Sequence, residues 1–262
     1  SIQLMVEAER RSYADRSEYL GDPDFVDVPV NSLLDSVYLS NRMINFDWNK
    51  ASLSSEIKPG LLLFDESVET THYSIIDKYG NAVSVTTTLN GSYGSKVYVE
   101  DGGYFLNNEM DDFSSKPGVP NMFGLLGNEA NSIFPEKRML SSMTPTIVEK
   151  NKKLYMILGS PGGSKIITCV FQTILNAYEY GMNIQDAVDS PRVHHQWMPD
   201  EIIFEPYKFK DSLFLSLESK GYNINYDKSE YIGRVDAIMI DDNGIITSGA
   251  DSRGDDFSSY LK

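Results

Sequence analysis

A reactive hydroxyl could form in the run Glu69-Thr70-Thr71-His72-Tyr73-Ser74, which leads into a strand-like stretch. Threonine is a poor nucleophile unless a neighbouring base activates it, and one solution uses the residue's own α-amino group. Cleavage between Glu69 and Thr70 would free that amine, whose reference pKa of about 7.7–8.0 leaves a useful unprotonated fraction near neutrality. Thr70 would then supply nucleophile and base together, although two threonines at the start of a strand also fit simple β-propensity.

A second candidate is the turn Ser160-Pro161-Gly162-Gly163-Ser164, which joins an apolar strand to a helical pattern. Consecutive glycines let backbone N–H groups approach a ligand oxygen at the positive end of the helix dipole. That geometry suits an oxyanion hole, where the loss of one donor typically lowers the rate by about 10²–10³. A tight turn between a strand and a helix fits the same residues equally well.

Two polar clusters lie between these candidates. The run Asn107-Asn108-Glu109-Met110-Asp111-Asp112 gathers carboxylates and amides that could bind an ammonium group, coordinate Ca²⁺ or form a solvated loop. Its spacing does not match an EF-hand loop, which weakens the calcium interpretation. Further along, Ser141 and Ser142 precede a predicted strand, which starts at Thr146 because Pro145 cannot donate to a sheet. The two serine hydroxyls could hold a carboxylate, or the serines could be ordinary turn residues.

The histidines fit a catalytic role less well. His72 adjoins the candidate nucleophile, while His194 and His195 fall together near Trp197 and are interpreted as structural or surface residues. A serine-type triad stays open, but no Gly-x-Ser-x-Gly elbow accompanies these histidines. The single cysteine, Cys169, excludes an internal disulfide, and its apolar neighbours assign it to the core.

Composition limits the classes of function. With 262 residues, of which 41% are hydrophobic, the chain can bury a real core in one large or two small domains. The net charge of −15 argues against a nucleic-acid or anionic-membrane partner, because both need clustered Lys and Arg. No apolar stretch reaches the length of a membrane span, and Ser1-Ile2-Gln3-Leu4 is no signal peptide. The opening inside an amphipathic pattern leads us to expect a piece of a longer protein.

The elements that must position these residues follow from hydrophobic periodicity. Helices are predicted over 2–19, over 32–43 with Asn31 as the cap, over 164–180 before Gly181, and over 184–189 and 211–220. Strands are predicted over 72–76, 82–88, 146–149, 154–158, 236–240 and 245–248. The polar segment 45–67 is expected to be extended or mobile. This order favours antiparallel sheet covered by helices.

The clusters together closely resemble one family, the γ-glutamyltranspeptidases, which are N-terminal-nucleophile hydrolases. The resemblance covers nearly the whole chain and rests on ADRSEYLGDPDF at 14–25, Thr70-Thr71-His72-Tyr73-Ser74, the run 107–112, Pro117-Gly118-Val119-Pro120-Asn121, Ser141-Ser142-Met143 and Gly159-Ser160-Pro161-Gly162-Gly163. It implies an α+β fold, a four-layer αββα sandwich of antiparallel sheets. It also implies that residues 1–69 are the helical, then extended, C-terminal segment of the large subunit. Residues 70–262 would be the small catalytic subunit, and the two would form one αββα domain that lacks the rest of the large subunit.

Carried over residue by residue, the resemblance implies a role for each motif. Thr70 would be the nucleophile after autocatalytic cleavage from Glu69, with its freed amine as the base. Thr88 would orient the Thr70 hydroxyl, while Gly162 and Gly163 would stabilise the tetrahedral oxyanion. The donor would be held by five further residues: Asn90, Glu109 and Asp112 on its α-ammonium group, and Ser141 and Ser142 on its α-carboxylate.

Two features of the resemblance concern access to the site and its completeness. Residues 117–128 resemble the loop that covers the site in many members, with Phe123 as its aromatic latch. Some members carry Gln where this chain has Glu109, which adds negative charge beside the substrate ammonium. The family's carboxylate-binding arginine comes from the earlier part of the large subunit, so we expect the site to need that part.

The implied activity is transfer of a γ-glutamyl group from glutathione or a related donor to an amino acid, a peptide or water, through a γ-glutamyl-threonine intermediate. The expected partners are these substrates and the remainder of the large subunit. We expect no nucleic acid, no cofactor and no metal, and a periplasmic or extracellular location by resemblance. The alternatives are a related acylase, a poly-γ-glutamate depolymerase, or a noncatalytic binding domain with an acidic Ca²⁺ site.

Overall fold

The computed structural model describes residues 1–58, 70–206, 208–226 and 231–260. The chain divides into two compact units. The first unit contains the described parts of Ser1–Ser67, Glu109–Ser141 and Val193–Ser229, and the second contains those of Val68–Asn108, Ser142–Arg192 and Glu230–Lys262. Glu69 and the end of the polar segment 45–67 lie outside the described residues. The predicted boundary between the large-subunit segment 1–69 and the small subunit 70–262 is a site of chain cleavage, and it stays a prediction.

The described residues begin with three helices, and groups of strands and helices follow. The helices of the described residues are α1 (Ile2–Tyr19), α2 (Val30–Leu33), α3 (Ser36–Arg42), α4 (Lys165–Tyr178), α5 (Ile184–Asp189) and α6 (Asp211–Glu218). The strands are β1 (Thr71–Ile76), β2 (Ala82–Thr87), β3 (Tyr98–Val99), β4 (Tyr104–Phe105), β5 (Thr146–Lys150), β6 (Lys153–Gly159), β7 (Val193–His194), β8 (Ile202–Phe204), β9 (Ile224–Asn225), β10 (Asp236–Ile240) and β11 (Ile246–Gly249). No helix in the described ranges combines the length and apolar character needed to cross a membrane.

The second unit is built on a four-stranded antiparallel sheet in the order β11-β10-β6-β5. The hairpin β1-β2 packs on this sheet, where the Ser84 hydroxyl donates to the Leu158 carbonyl oxygen at 3.0 Å. Helices α4 and α5 pack against the same sheet. The last four residues of β6 are all buried, which requires cover on both faces of that strand. Helix, sheet and hairpin therefore form successive layers, and the predicted strand pairs around 77–81 and 150–152 are confirmed.

The first unit packs α1 and α6 around a small sheet in the order β7-β8-β9, in which β8 and β9 run parallel. Its apolar core gathers side chains from distant parts of the chain: Val6, Ala51, Val193, Ile202, Phe204, Leu217 and Tyr222.

The predicted helices over 2–19, 184–189 and 211–220 are confirmed, the last ending two residues early. Gly181 follows α4 with a φ of 67°, the left-handed conformation expected of a helix stop.

The helix predicted over 32–43 is wrong in its start and its continuity. Asn31 lies inside the short helix α2, and a new helix, α3, begins after Asp35. The Asp35 carboxylate accepts hydrogen bonds from the backbone N–H groups of Val37 and Tyr38, both at 2.9 Å. Capping of these otherwise unpaired N–H groups stabilises a helix start at Asp35, so the apolar spacing across it does not belong to one helix.

Helix α1 buries charge as well as apolar side chains. Glu7 accepts from the Arg11 guanidinium, from the Ser52 N–H at 3.1 Å and from the Tyr222 hydroxyl at 2.8 Å. Burial opposes ionisation of Glu7, but these hydrogen bonds and the nearby Arg10 outweigh it and hold the pKa of the carboxyl below its ordinary value. Because its partners satisfy the buried carboxylate, Glu7 joins α1 to residues 52 and 222.

The segment 51–57 is anchored, so the expectation that 45–67 is extended or mobile is wrong for this part. Trp197, which is 2% exposed, donates from its indole nitrogen to the carbonyl oxygens of Ser54 at 3.0 Å and Ile57 at 2.9 Å. Asp200 accepts from the Ser54 N–H at 2.7 Å and pairs with Arg10. Polar composition misleads here because Trp197 and Asp200 lie 140 or more residues away from the groups that they bind.

We predict that Trp197→Phe lowers the free energy of unfolding by about 1–3 kcal/mol, because two buried carbonyls lose their donor. Trp48→Phe is the matched control, since Trp48 is 56% exposed, and it should change stability by less than about 0.5 kcal/mol. Chemical denaturation of both variants measures the difference. Equal losses would mean that the Trp197 indole does not anchor this segment.

Candidate active site

The Thr70 hydroxyl contacts Thr88 in the second unit. Thr70 immediately precedes β1, Thr88 follows β2, and the pairing of Thr71 with Thr87 brings the two residues together. The Thr70 hydroxyl donates to the Thr88 oxygen at 3.4 Å, and that oxygen also accepts from the Asn90 N–H at 2.9 Å. A hydrogen bond of 3.4 Å is long, so it orients the Thr70 hydroxyl without holding it tightly.

Asn90 is the third predicted residue in this group. It is 4% exposed and has a φ of 74°, a conformation that Asn tolerates better than most residues. Its side-chain amide donates to the Asn108 carbonyl oxygen at 3.4 Å, and the Asn108 side-chain oxygen accepts from the Gly91 N–H at 2.9 Å. The two asparagines thus fix the loop that follows Thr88.

The Gly162-Gly163 turn presents its N–H groups in a defined direction. The carbonyl oxygens of Pro161 and Gly162 are occupied, the first by the Ser160 hydroxyl at 2.5 Å and the second by the Lys165 N–H at 3.0 Å. In a trans peptide the N–H points away from the C=O. The Gly162 and Gly163 N–H groups therefore point away from Ser160 and from the first turn of α4. Their φ values of 142° and 54° lie in the region that favours glycine.

A loop held by a buried ion pair supports this turn. Arg192 and Asp251, 1% and 0% exposed in their side chains, pair at 2.7 Å. Arg192 also donates to the carbonyl oxygen of Gly233, whose φ is 68°, and Asp251 accepts from the Val235 N–H at 2.7 Å. A Cβ on Gly233 would lie 2.7 Å from the Ser160 hydroxyl oxygen, and the Gly233 Cα lies close beside Gly162. The ion pair thereby fixes the backbone behind the turn.

His72 is a structural residue of the hairpin. Its ring nitrogens contact the hydroxyls of Thr86 at 2.8 Å and Ser74 at 3.0 Å. The ring lies against Gly159, where a Cβ would overlap it. Burial lowers the pKa of His72 to about 4, so the ring is neutral at pH 7. His72 is therefore engaged with its own hairpin rather than with Thr70.

The other two histidines lie in the first unit and are buried, which confirms the structural interpretation. His195 accepts at Nδ1 from the Trp197 N–H at 3.1 Å, so its proton sits on Nε2, 3.4 Å from Asp200. Burial and the charge of Arg10 lower the pKa of His195 to about 4. Cys169 is buried in the second unit, as predicted.

Three predicted donor-binding residues, Glu109, Asp112 and Ser141, belong to the first unit, whereas Ser142 opens a segment of the second. Glu109 to Asp112 form a 3₁₀ turn, which the sequence pattern does not indicate. Burial raises the pKa of Glu109. Within the described ranges, no group of three or more His, Cys, Asp or Glu side chains could hold a metal ion.

Asn131 is a positioning residue that sequence reasoning missed. It is 4% exposed, and its side chain donates to the Asp112 carbonyl oxygen at 2.7 Å and accepts from the Leu140 N–H at 2.9 Å. It therefore ties the acidic turn to the residue before Ser141. No local pattern distinguishes this asparagine from a loop residue, so only its partners reveal the role.

The Gly21-Asp22 step has a similar role in the first unit. A Cβ on Gly21 would overlap the Ala130 carbonyl group, and Asp22 accepts from the Arg138 N–H at 2.8 Å and from its guanidinium. This motif therefore holds the loop that leads to residue 141. Phe123 is 5% exposed, and its carbonyl oxygen accepts from Gln196 at 3.0 Å; its predicted latch role stays a prediction.

Solved structures identify the fold class. The cephalosporin acylase of Bacillus halodurans matches all of this chain and 45% of its own with a TM-score of 0.82, at 24% identity, which bears on the fold alone. The γ-glutamyltranspeptidase of Helicobacter pylori matches over 70% of this chain and 100% of the compared chain, with a TM-score of 0.67 and 49% identity. The fold is that of the N-terminal-nucleophile hydrolases, an α+β sandwich of antiparallel sheets and helices, as predicted.

The sequence comparisons then define the family. Residues 1–261 match the model of the family described as gamma-glutamyltranspeptidase. A glutathione hydrolase proenzyme of Escherichia coli is 50% identical over 98% of this chain and 44% of its own length. The chain therefore belongs to the γ-glutamyltranspeptidase family, and it spans less than half the length of this relative.

We predict that Asp251→Ala lowers the free energy of unfolding by about 3–5 kcal/mol, because it leaves the buried Arg192 guanidinium without its charge partner. Asp255→Ala is the control: Asp255 is fully exposed and 3.8 Å from Arg234, so its loss should cost less than about 0.5 kcal/mol. Thermal and chemical unfolding of both variants test this. Similar stability of the two variants would contradict the supporting role of the ion pair.

We also predict that His72 makes the fold sensitive to acid. Since its pKa falls from 6.5 to about 4 on folding, the unfolded chain binds more protons between these values and stability is lost as pH falls through that window. From pH 7 to pH 5 this loss amounts to about 2 kcal/mol. His72→Asn should remove that part of the pH dependence, as measured by unfolding at both values. A His72 ring that titrates near pH 6.5 by NMR would contradict this.

Proposed function

We propose that the full-length protein transfers the γ-glutamyl group of glutathione or a related donor to water, an amino acid or a peptide. One observation carries the proposal. The hydroxyl of Thr70, the residue immediately before β1, donates to Thr88, and the chain belongs to this family. Threonine chemistry of this kind needs a base beside the hydroxyl, and a free Thr70 amine supplies one. The 50% sequence identity with a glutathione hydrolase proenzyme supports this substrate class.

Maturation comes first in the proposed sequence. The Thr70 hydroxyl attacks the carbonyl carbon of Glu69, the peptide C–N bond breaks as the ester forms, and the nitrogen gains a proton to become the Thr70 amine. Water then cleaves the ester and restores the hydroxyl. The Escherichia coli relative is a proenzyme, which is consistent with such a step.

Turnover uses the same hydroxyl in two steps. Thr70 attacks the donor's γ-carbonyl while its amine takes the hydroxyl proton, and the oxyanion is stabilised by the N–H groups of Gly162 and Gly163. The amide C–N bond breaks, and the leaving amine departs with that proton. Water or an acceptor amine then attacks the Thr70 ester, which releases the γ-glutamyl product and restores the hydroxyl.

Donor recognition in this proposal follows the chemistry of the two α-substituents. Asn90, Glu109 and Asp112 offer oxygens to the α-ammonium group, and Ser141 and Ser142 offer hydroxyls to the α-carboxylate. Desolvation of a charged group is costly unless partners replace its water, so both sets are needed. The remainder of the large subunit is proposed as the structural partner, with a periplasmic or extracellular location.

The test is mass spectrometry of the full-length protein. We expect a new amino terminus at Thr70, and an acyl adduct on Thr70 during turnover of a slow γ-glutamyl donor. Thr70→Ala should abolish cleavage and adduct, whereas Thr70→Ser should retain part of each because hydroxyl and amine survive. Thr247→Ala, an exposed position on β11, is the control and should behave as the unmodified protein. An uncleaved chain, or an adduct on Cys169 or a serine, would refute the proposal.

A further inference from the structure

Asn131 is hydrogen-bonded within the first unit through its side chain and its backbone. Besides the two side-chain bonds, to the Asp112 carbonyl oxygen and from the Leu140 N–H, its backbone makes two more. Its N–H donates to the Asn128 carbonyl oxygen at 3.0 Å, and its carbonyl oxygen accepts from the Ser114 N–H at 2.9 Å. One buried residue thus joins three stretches of chain, at 112–114, at 128 and at 140.

The side-chain amide of Asn131 sets a separation between two backbone groups. Its nitrogen and oxygen belong to one planar group, so the Asp112 carbonyl and the Leu140 N–H are held at the spacing that this group dictates. Asp112 ends the 3₁₀ turn that begins at Glu109, and Leu140 directly precedes Ser141. Since both bonds go to backbone, they position the chain without occupying the side chains of Asp112 and Ser141.

The loop that carries Asn131 is itself anchored at both ends. At one end, the Asn128 side chain donates to the Glu18 carboxylate at 2.7 Å. At the other end, the Arg138 guanidinium and N–H both donate to Asp22, whose side chain is 1% exposed. Glu18 ends one turn before the C-terminus of α1, and Asp22 follows that helix. Asn131 therefore acts on residues 112 and 140 from a fixed position.

A fixed spacing affects ligands that carry two charged groups differently from ligands that carry one. In the proposed function, Glu109 and Asp112 bind the α-ammonium group and Ser141 binds the α-carboxylate. These two substituents share one carbon atom, so a ligand makes both contacts together only where the protein groups are already correctly spaced. A ligand with one substituent can adjust to a shifted partner. Preorganisation of the protein groups therefore favours the ligand with two.

We propose that Asn131 sets the spacing between the ammonium-binding turn and the carboxylate-binding serine, and thereby makes the site selective for donors that carry both α-substituents. The inference rests on the proposed function, from which it takes the roles of Asp112 and Ser141. It adds a positioning residue whose described bonds all go to backbone groups of the protein.

The test measures inhibition constants in the full-length protein, with hydrolysis of a γ-glutamyl anilide as the readout. Three small acids are compared: glutamate carries both α-substituents, glutarate lacks the ammonium group, and 4-aminobutanoate lacks the α-carboxylate. In Asn131→Ala we expect the Ki of glutamate to rise by about tenfold, as when one hydrogen-bonded contact no longer fits. The Ki values of the other two should change by less than about twofold, because each makes only one of the two contacts.

Arg138→Gln is a milder second variant, since the Arg138 side chain is 64% exposed and its replacement leaves the fold intact. It loosens the anchor of the loop, and the Ki of glutamate alone should rise by about two- to threefold. Asn223→Ala is the matched control. The Asn223 amide also donates to a backbone carbonyl oxygen, that of Asp200 at 3.0 Å, and its loss should leave all three constants unchanged.

Two results in Asn131→Ala would overturn the inference. Equal rises for the three acids would mean that Asn131 supports the whole unit, and an unchanged Ki of glutamate would mean that it does not set the spacing. If Asn131→Ala does not fold, Arg138→Gln decides, and a uniform or absent effect there overturns the inference. An unmodified protein that hydrolyses no γ-glutamyl anilide and forms no Thr70 adduct refutes the proposed function itself, which is a distinct outcome.

Discussion

The Arg192–Asp251 ion pair is the constraint on which the second unit depends most. Both side chains are withdrawn from water, which costs free energy that the pair alone does not offset. The balance is restored by backbone partners, because Arg192 donates to the Gly233 carbonyl oxygen and Asp251 accepts from the Val235 N–H. The loop between these partners is therefore fixed, and its Gly233 backbone lies against Gly162. A charge pair remote in sequence thereby holds the backbone that lies behind the Gly162-Gly163 turn.

Local pattern was sufficient for elements whose determinants are local. Helix α1 and the hairpin of β1 and β2 follow from apolar spacing and from turn residues, and both lie within a residue of their predicted bounds. The sequence pattern failed where a nearby helix cap or a distant hydrogen-bond partner determines the local structure. Asp35 interrupts an apolar face that looks continuous in one dimension. The carbonyls of Ser54 and Ile57 are bound by Trp197, a residue that no window around position 54 contains.

The candidate site shows the same division. The Gly162-Gly163 turn could be predicted from residue types because its positive φ values favour glycine. The pairing of Thr70 with Thr88 came from family resemblance, since two threonines 18 residues apart carry no signal of contact. Asn131 was not found by either route. Its importance lies in two hydrogen bonds to backbone, and an asparagine in a polar loop is ordinary until those bonds are seen.

The strength of the Thr70 contact has a consequence for reactivity. A short hydrogen bond would stabilise the resting hydroxyl, and ground-state stabilisation that the transition state does not share slows the chemical step. The Thr88 oxygen is instead bound closely by the Asn90 N–H, at 2.9 Å, and receives the Thr70 hydroxyl only at 3.4 Å. Asn90 thus fixes Thr88, and Thr88 directs a hydroxyl that it binds weakly. The hydroxyl is therefore oriented by its neighbours but bound weakly, and in the proposed chemistry it would give its proton to the freed amine of Thr70.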